Sequence, residues 1–152
     1  MSIISEPNYD FSINELSSPE QVAFYEYWQK IKNDKSMPNR ASFKPMDIPK
    51  VLPYIFMEDV EHNPLRYKVR LIGSKSDVPN EHTGKYLDEI SDLDLVIGLL
   101  DDLVKVKKPY YYERKMTLAN GASKRYSSVV VPFSDDDDEV NIVMSCHAVI
   151  RI

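Results

Sequence analysis

The sequence predicts an α+β domain: a sheet of five antiparallel strands with helices over one face, preceded by an N-terminal helix. Three observations lead to this fold class. Segments with the alternating apolar pattern of half-buried strands lie before and after one long amphipathic helical segment. The last three of these segments are joined by short connections, which favours an antiparallel meander. At 152 residues, 43% hydrophobic and 28% charged, the chain has the size and composition of one soluble domain.

Charge and composition argue against several classes of function. The net charge of −5 disfavours a nucleic-acid partner, because phosphates require a basic surface. The single cysteine, Cys146, excludes an intrachain disulfide and a multi-cysteine zinc site. Charges interrupt the apolar stretches well before the ~20 residues that a membrane span needs. The N-terminus carries acids where a signal peptide carries bases. We therefore expect a cytoplasmic protein without a membrane partner.

The N-terminal region divides into an arm and a helix. Residues 1–17 are polar and aperiodic, and we expect an arm that is mobile unless it docks. The domain itself, residues 18–152, begins with the helix. Ser18 is a favourable N-cap, Pro19 suits the first helical position, and Gln21 completes a capping box.

One face of this helix carries large apolar side chains, namely Phe24, Tyr27, Trp28 and Ile31. Two interpretations are open: the face packs on its own domain, or it contacts a partner. Aromatic rings dominate interface energies, and an isologous dimer is the commonest way to share such a face. We therefore predict a homodimer through this face, with a signalling protein as the other candidate partner.

The segment DIPKVLPYIFMEDVE, residues 47–61, predicts a short helix that leads into the first strand. Asp47 would cap this helix and Pro49 would lie in its first turn, where a missing N–H costs nothing. Pro53 would force the preceding residue out of helical geometry and end the helix. The two prolines thus have a structural role.

The second strand, RYKVRLIGS, places Tyr67, Val69 and Leu71 on one face and basic residues on the other. A polar, irregular stretch from Gly73 to Gly84 follows it, with Pro79 inside.

A long helix is predicted from about Asp92 to Lys107, capped by Ser91 or Asp92 and stopped by Pro109. Acids at its start and lysines at its end suit the helix dipole. Its expected buried stripe comprises Leu93, Val96, Ile97, Leu100, Leu103 and Val104.

Three strands close the chain: YYYERKMTL, KRYSSVVVPF and VNIVMSCHAVIRI. An Asn-Gly pair predicts a tight turn between the first two. The acidic segment SDDDDE joins the last two. It has the charge of a calcium loop but not the glycine and distal glutamate, so we interpret it as a solvated turn.

The consecutive residues Ser145, Cys146 and His147 suggest a nucleophile and a base. Neighbours in a strand point to opposite faces, however, so the thiol and the imidazole cannot meet. We interpret Cys146 as a buried structural thiol and expect His147 on the outer face. His62 and His82 lie in loops without a second ligand at metal-binding spacing. We therefore predict no catalytic residue, no metal site and no enzyme.

The strongest polar and aromatic group is Tyr110, Tyr112 and Arg114, which share one face of a strand. If that face is inward, their hydroxyls and guanidinium reach a pocket between sheet and helix and suit an anionic or aromatic ligand. If it is outward, they form an ordinary sheet surface or a dimer contact. Tyr67 and Met144 complete the candidate ligand-binding set.

A longer pattern of residues points to a family. It comprises Arg40, Phe43, Pro45, Asp47, Ile48, Pro49, Leu52, Pro53, Asp59, Arg70, Leu71, Gly73, Thr83, Gly84, Leu87 and Asp88. The pattern resembles the framework of a family of bacterial, mainly alphaproteobacterial, stand-alone PAS-like proteins, over about residues 20–152. The resemblance implies a PAS-like five-stranded antiparallel sheet and a sensory or regulatory role, and it brings no catalytic residues. The chain departs from the family pattern between Gly73 and Thr83, where it is shorter, so no ligand is carried over.

Two cofactors of the PAS class are disfavoured. Flavin-binding PAS domains carry a reactive cysteine in an Asn-Cys-Arg type motif on a helix, whereas Cys146 lies on a predicted strand. Haem-binding members usually place a histidine on the long helix, and Asp92 to Lys107 contains none. We predict neither flavin nor haem, and an unidentified small molecule as the candidate ligand.

We favour a non-catalytic PAS-like module that senses a small molecule or docks on a signalling partner. The alternatives are a protein-interaction adaptor whose cavity is filled by side chains, and a small enzyme that uses tyrosine, arginine and histidine. The absence of a nucleophile, base and orienting group at plausible geometry counts against the enzyme.

Overall fold

The computed structural model describes residues 2–3, 5–76, 80–117 and 120–150. Its α-helices are α1 (Pro19–Lys32) and α2 (Asp94–Val106). Its strands are β1 (Ser2–Ile3), β2 (Ile55–Glu61), β3 (Arg66–Ile72), β4 (Tyr110–Thr117), β5 (Ser123–Phe133) and β6 (Ile142–Ile150). None of the helices in these ranges is long and apolar enough to cross a membrane.

The strands form one antiparallel sheet in the order β1-β4-β5-β6-β2-β3. The chain therefore builds the hairpin β2–β3, crosses the sheet with α2, and returns as the meander β4–β5–β6. The pairing of β2 with β6 joins the two parts. The predicted α+β class and the antiparallel five-stranded sheet are confirmed, and a short sixth strand extends the sheet.

The sixth strand comes from the N-terminal arm, which docks on the edge of the sheet. In β1, Ser2 lies opposite Lys115 of β4. Further along the arm, Asn8 and Tyr111 exchange backbone hydrogen bonds of 2.9 and 3.0 Å. The arm thereby occupies backbone groups that an open edge strand would leave unpaired.

Helices cover both faces of the sheet: α2 covers one face, as predicted, and the N-terminal helix α1 covers the other. On the α1 side, side chains such as Met57, Val129 and Met144 form one core. On the α2 side, Val130 and Val143 belong to a second core. In the middle of β5 and β6, successive residues are buried on opposite faces, so the sheet is covered on both sides there.

The aromatic face of α1 packs on its own sheet. Phe24, Tyr27 and Trp28 are buried, and Ile31 packs partly buried against the same core. Trp28 donates a hydrogen bond of 3.0 Å from Nε1 to the carbonyl oxygen of Pro132. These rings therefore lie inside the chain and offer no surface to a second copy, which corrects the location of the expected partner contact. The homodimer itself stays a prediction.

Ser18 is the N-cap of α1, as predicted, but the second half of the predicted capping box is not formed, because Oε1 of Gln21 accepts a hydrogen bond of 2.9 Å from the backbone N–H of Ser17. The Ser18 hydroxyl accepts a hydrogen bond of 3.1 Å from the backbone N–H of Gln21. The side chain of Gln21 is fully buried, and its Nε2 donates to the Ser127 hydroxyl and to the carbonyl oxygen of Cys146, both at 3.1 Å. The buried side chain of Gln21 thus ties the start of α1 to β5 and β6.

The proline segment forms two short 3-10 turns, Pro45–Asp47 and Leu52–Tyr54, where we predicted one short helix. Pro53 lies within the second turn rather than after it. A proline is tolerated there because the first residues of a helical turn need no N–H donor. Its carbonyl oxygen accepts a hydrogen bond of 2.9 Å from the backbone N–H of Lys75.

An irregularity in the pairing of β2 with β3 changes which side chains of β3 are buried. Met57 pairs with Leu71 and Glu58 with Val69, so Arg70 is an extra residue on β3. Leu71 is therefore 40% exposed, although alternation predicted it on the buried face with Val69. A bulge of this kind cannot be read from strand periodicity.

The beginning of α2 differs from the prediction. The residue before the helix is Leu93, and it makes no side-chain capping bond. Asp92, a predicted cap, has φ of 65° and turns the chain into the helix instead. The buried stripe is as predicted: Leu100 and Leu103 are buried, and the other members pack against the same core. Pro79 lies outside the described residues.

Candidate ligand-binding cavity

A cavity of about 270 Å³ lies between α2 and the sheet. Its apolar wall is formed by Phe56, Leu87, Ile90, Leu93, Val96, Leu100, Tyr110, Val130 and Val143. Its polar lining is formed by Glu58, His82, Tyr112, Arg114, Ser145 and His147. A mostly apolar wall with a few convergent polar groups is the usual composition of a small-molecule site.

Two larger clefts have a different character. One, of about 510 Å³, lies beside the 3-10 turns and the end of β3, near Arg40, Arg70 and Gly73. The other, of about 610 Å³, lies between α1 and the end of α2, near Trp28 and Lys107. We place the candidate site in the smaller cavity because its lining includes a buried carboxyl group.

That carboxyl group belongs to Glu58, which is 5% exposed. Its Oε2 atom has no hydrogen-bond partner among the residues that the structure describes. Burial raises the pKa of Glu58 to about 8, although the nearby Arg114 charge and the residue's own backbone N–H oppose the rise. At neutral pH this carboxyl group is therefore mostly protonated and can donate a hydrogen bond.

The Arg114 guanidinium is the permanent charge of the cavity. Its Nη1 donates a hydrogen bond of 3.2 Å to the Tyr112 hydroxyl, and its Nη2 lies 3.5 Å from Nδ1 of His147. Its Nε atom is buried and lacks a hydrogen-bond partner within the described part of the chain. Arg114 thus keeps one donor free in a cavity that Glu58 also lines.

His147 is neutral at physiological pH, because burial and then the Arg114 charge lower its pKa well below the usual value. Its Nδ1 lies 2.6 Å from the Ser128 hydroxyl oxygen, and its Nε2 lies 3.3 Å from that of Ser145. Arginine can only donate, so Nδ1 accepts from Arg114 and the ring proton sits on Nε2. His147 therefore helps to orient the arginine.

The position of His147 corrects the expectation that it lies on an outer face. Alternation along β6 holds, since Cys146 is buried with the α1-side core while His147 lines the cavity. The face was assigned wrongly because both faces of β6 are covered by helices. Burial raises the pKa of Cys146 to about 12, so its thiol stays protonated.

The candidate ligand-binding residues fall into three groups. Tyr110, Tyr112 and Arg114 line the cavity. Tyr67 is buried in the α2-side core, where its hydroxyl donates a hydrogen bond of 2.6 Å to Asp101. Met144 lies in the core on the opposite face of the sheet, which corrects its placement in the set.

Sequence reasoning missed Glu58, Ser145 and His147 as cavity residues. Glu58 offered a signal: it is an acid between Phe56 and Val60, at the inward positions of the first strand. Ser145 and His147 share the face of Val143, which is buried. Among the described residues, no three His, Cys, Asp or Glu side chains come together as a metal site.

Comparison with known proteins points to the PAS class. Residues 16–77, which include α1, β2 and β3, match a family model of PAS domains. The structure is similar to the LOV protein of Rhodobacter sphaeroides, with 10% identity, 71% of this chain and 69% of that chain covered, and a TM-score of 0.47. No curated protein sequence matches the chain.

A second similar structure is a fungal LOV domain photoreceptor, described as integrating blue light and oxidative stress. The identity is 7%, with 73% of this chain and 94% of that chain covered and a TM-score of 0.45. The match of residues 16–77 to the PAS domain family and the observed architecture agree on a PAS-like domain.

Proposed function

We propose that this PAS-like chain is a non-catalytic sensory or regulatory module that binds a small, largely apolar molecule between α2 and the sheet. The observation that carries the proposal is the cavity, whose apolar wall surrounds the buried and unpartnered carboxyl group of Glu58. An unpaired buried polar group costs about 1–3 kcal/mol, and a bound molecule would recover that energy by supplying the partner.

The cavity walls suggest how binding would change the surface. Leu100 belongs both to the wall and to α2, whose position is also fixed by the bond between Asp101 and Tyr67. At the end of α2, Lys107 forms an exposed ion pair of 2.8 Å with Asp138 in the acidic turn. A ligand that moves α2 would therefore alter a polar surface available to a signalling partner.

A flavin attached through a thiol does not fit this cavity. Flavin-binding PAS domains use a reactive cysteine beside the ligand, whereas Cys146 lies in the core on the opposite face of the sheet. We therefore keep the proposal of an unidentified small molecule. An adaptor with a filled cavity is the alternative, and the space of about 270 Å³ counts against it. The cytoplasmic location, the bacterial origin and the homodimer stay predictions.

Native mass spectrometry of freshly purified protein tests the proposal. We expect a small molecule that is retained under native conditions and released on denaturation. Val96→Trp, which fills the cavity from α2, should abolish the retained mass. Met46→Trp is the matched control, because Met46 is 83% exposed and lies outside the cavity lining. A clean apo mass, together with no thermal shift from any apolar compound tested, would contradict the proposal and favour the adaptor.

A further inference from the structure

Three residues that line the cavity have a buried side-chain atom without a hydrogen-bond partner among the described residues: Oε2 of Glu58, Nε of Arg114 and Nδ1 of His82. Of these residues, Glu58 and Arg114 are electrostatically linked, since the Arg114 charge acts on Glu58. Buried polar groups are nearly always hydrogen-bonded, so unpaired groups around one cavity indicate a missing shared partner. That partner must accept a hydrogen bond from the Arg114 guanidinium and also form a hydrogen bond with the Glu58 carboxyl group.

The titratable groups around Glu58 belong to several elements. The groups that face it or share its cavity are Arg114, Tyr110 and Tyr112 of β4, Tyr67 of β3, His147 of β6, and His82 of the turn Asn80–His82. The helix α2 contributes apolar side chains, including Val96 and Leu100. Burial raises the pKa of Tyr67 and Tyr110, so both hydroxyls are neutral. At neutral pH, Arg114 is thus a fixed positive charge beside a neutral carboxyl group and a neutral imidazole.

We propose that the ligand is an apolar monocarboxylate whose carboxylate sits between the Arg114 guanidinium and the Glu58 carboxyl group. This inference rests on the proposed function, and it names the chemical class of the ligand. The carboxylate accepts from Nε of Arg114 and from the protonated carboxyl of Glu58. Its hydrocarbon part lies on Phe56, Leu100 and Val130, which belong to the apolar wall.

The size of the cavity sets the size of the ligand. A cavity of about 150 Å³ holds a benzene-sized molecule, and this one measures about 270 Å³. A chain of roughly octanoate length is the appropriate probe. An amine of the same length is positively charged and would be repelled by Arg114. An alcohol would leave the guanidinium without a charged acceptor. Octanoate, 1-octanol and octylamine therefore separate the possibilities.

Titration calorimetry with these three probes on the full chain tests the proposal. We expect octanoate to bind most tightly, and Arg114→Gln to weaken octanoate about 10- to 100-fold while changing 1-octanol little. Glu58→Gln keeps a neutral donor that cannot ionise, so its affinity for octanoate should be the same at about pH 6.5 and about pH 9.5. Wild-type affinity should fall about 30-fold by about pH 9.5, and Glu58→Gln should remove that fall.

Each other outcome has a definite meaning. If 1-octanol or octylamine binds as tightly as octanoate, or if Arg114→Gln weakens all three probes equally, the ligand class is wrong while cavity binding stands. If none of the three binds to folded wild-type protein, the ligand class fails. The retained mass in native spectrometry then decides separately whether the cavity is a binding site. Circular dichroism of both variants checks that they are folded.

Discussion

The backbone of Gly73 lies directly against the carbonyl group of Pro53. A Cβ atom on Gly73 would lie 2.3 Å from the Pro53 oxygen, which is closer than Cβ atoms approach non-bonded atoms in real structures. The same region is closed by hydrogen bonds from Gly73 N–H to the Ile55 oxygen, at 2.7 Å, and from Lys75 N–H to the Pro53 oxygen, at 2.9 Å. The glycine therefore allows the end of β3 to close over the turn that precedes β2.

Gly73→Ala should destabilise the fold by about 1–3 kcal/mol, because backbone atoms cannot move aside as a flexible side chain can. Gly98→Ala is the matched control: Gly98 lies inside α2, and a Cβ there meets nothing within 4 Å. The control should gain about 0.5–1 kcal/mol from helix propensity. Urea unfolding of both variants measures the difference. Equal stability of the two would refute the role given to the close approach.

Trp28→Ala should cost about 3–5 kcal/mol, the usual loss for a large buried aromatic side chain. Trp28 is 3% exposed, and its Nε1 bond to the Pro132 oxygen would be lost as well. Chemical denaturation followed by tyrosine fluorescence or circular dichroism measures the change. A stability close to wild type would show that α1 is not packed on the sheet as the structure has it.

Light scattering of the wild type at tens of micromolar tests the predicted homodimer separately. Because the aromatic face of α1 is buried within the chain, any dimer must use another surface. A monomer under these conditions would reject the dimer and leave α1 as a cover on its own sheet. The same measurement on Met46→Ala tests whether Met46, an apolar residue that is 83% exposed, contributes to the dimer contact.

The features of the fold that are set by residues close together in the sequence could be predicted from the sequence. The cap of α1 at Ser18, the buried stripe of α2 and the closing meander all follow from capping, helical periodicity and short connections. Which faces of the strands are buried could not be predicted in the same way. Tyr110, Tyr111 and Tyr112 are all buried, since α1 and α2 cover opposite sides of β4. Alternation separates two faces, but it does not say which face holds a cavity.

Only part of the candidate site could be predicted from the sequence, because alternation does not show which strand face lines the cavity. Tyr112 and Arg114 were found because aromatic and cationic groups share a strand face. Glu58 was missed because an acid in a strand is usually solvated, and only the packing of α2 buries it. The irregular pairing at Arg70 also escaped periodicity, since one extra residue reverses the alternation beyond it.

The purified protein should be colourless, without flavin or haem absorbance above the aromatic band. The physical reason is that the cavity face holds no thiol among the described lining residues, and α2 carries no histidine. An absorbance spectrum before and after extensive dialysis is sufficient. A visible band that survives dialysis would overturn this prediction, and denaturation followed by chromatography would identify the chromophore.

The stability of the apo protein should fall as the pH rises from about 7 to 9, by roughly 1 kcal/mol. Burial raises the pKa of Glu58 from 4.5 in the unfolded chain to about 8 in the fold. Its stabilising contribution is therefore complete below the unfolded pKa and is lost as the pH rises through the folded one. His147 acts in the opposite direction at acidic pH, because its pKa is lowered in the fold. The window above about pH 7 avoids the titration of His147, and the smaller loss from the Cys146 thiol, whose pKa is also raised in the fold, is the same in a variant at Glu58.

Glu58→Gln is the informative variant for this window, because glutamine keeps the shape and cannot ionise. Thermal or urea unfolding at about pH 7 and pH 9 should show a slope for the wild type and a nearly flat response for the variant. At the higher pH the variant should be the more stable protein. Parallel slopes for the two proteins would mean that Glu58 is not the group that titrates, and that the carboxyl group in the cavity is already paired in solution.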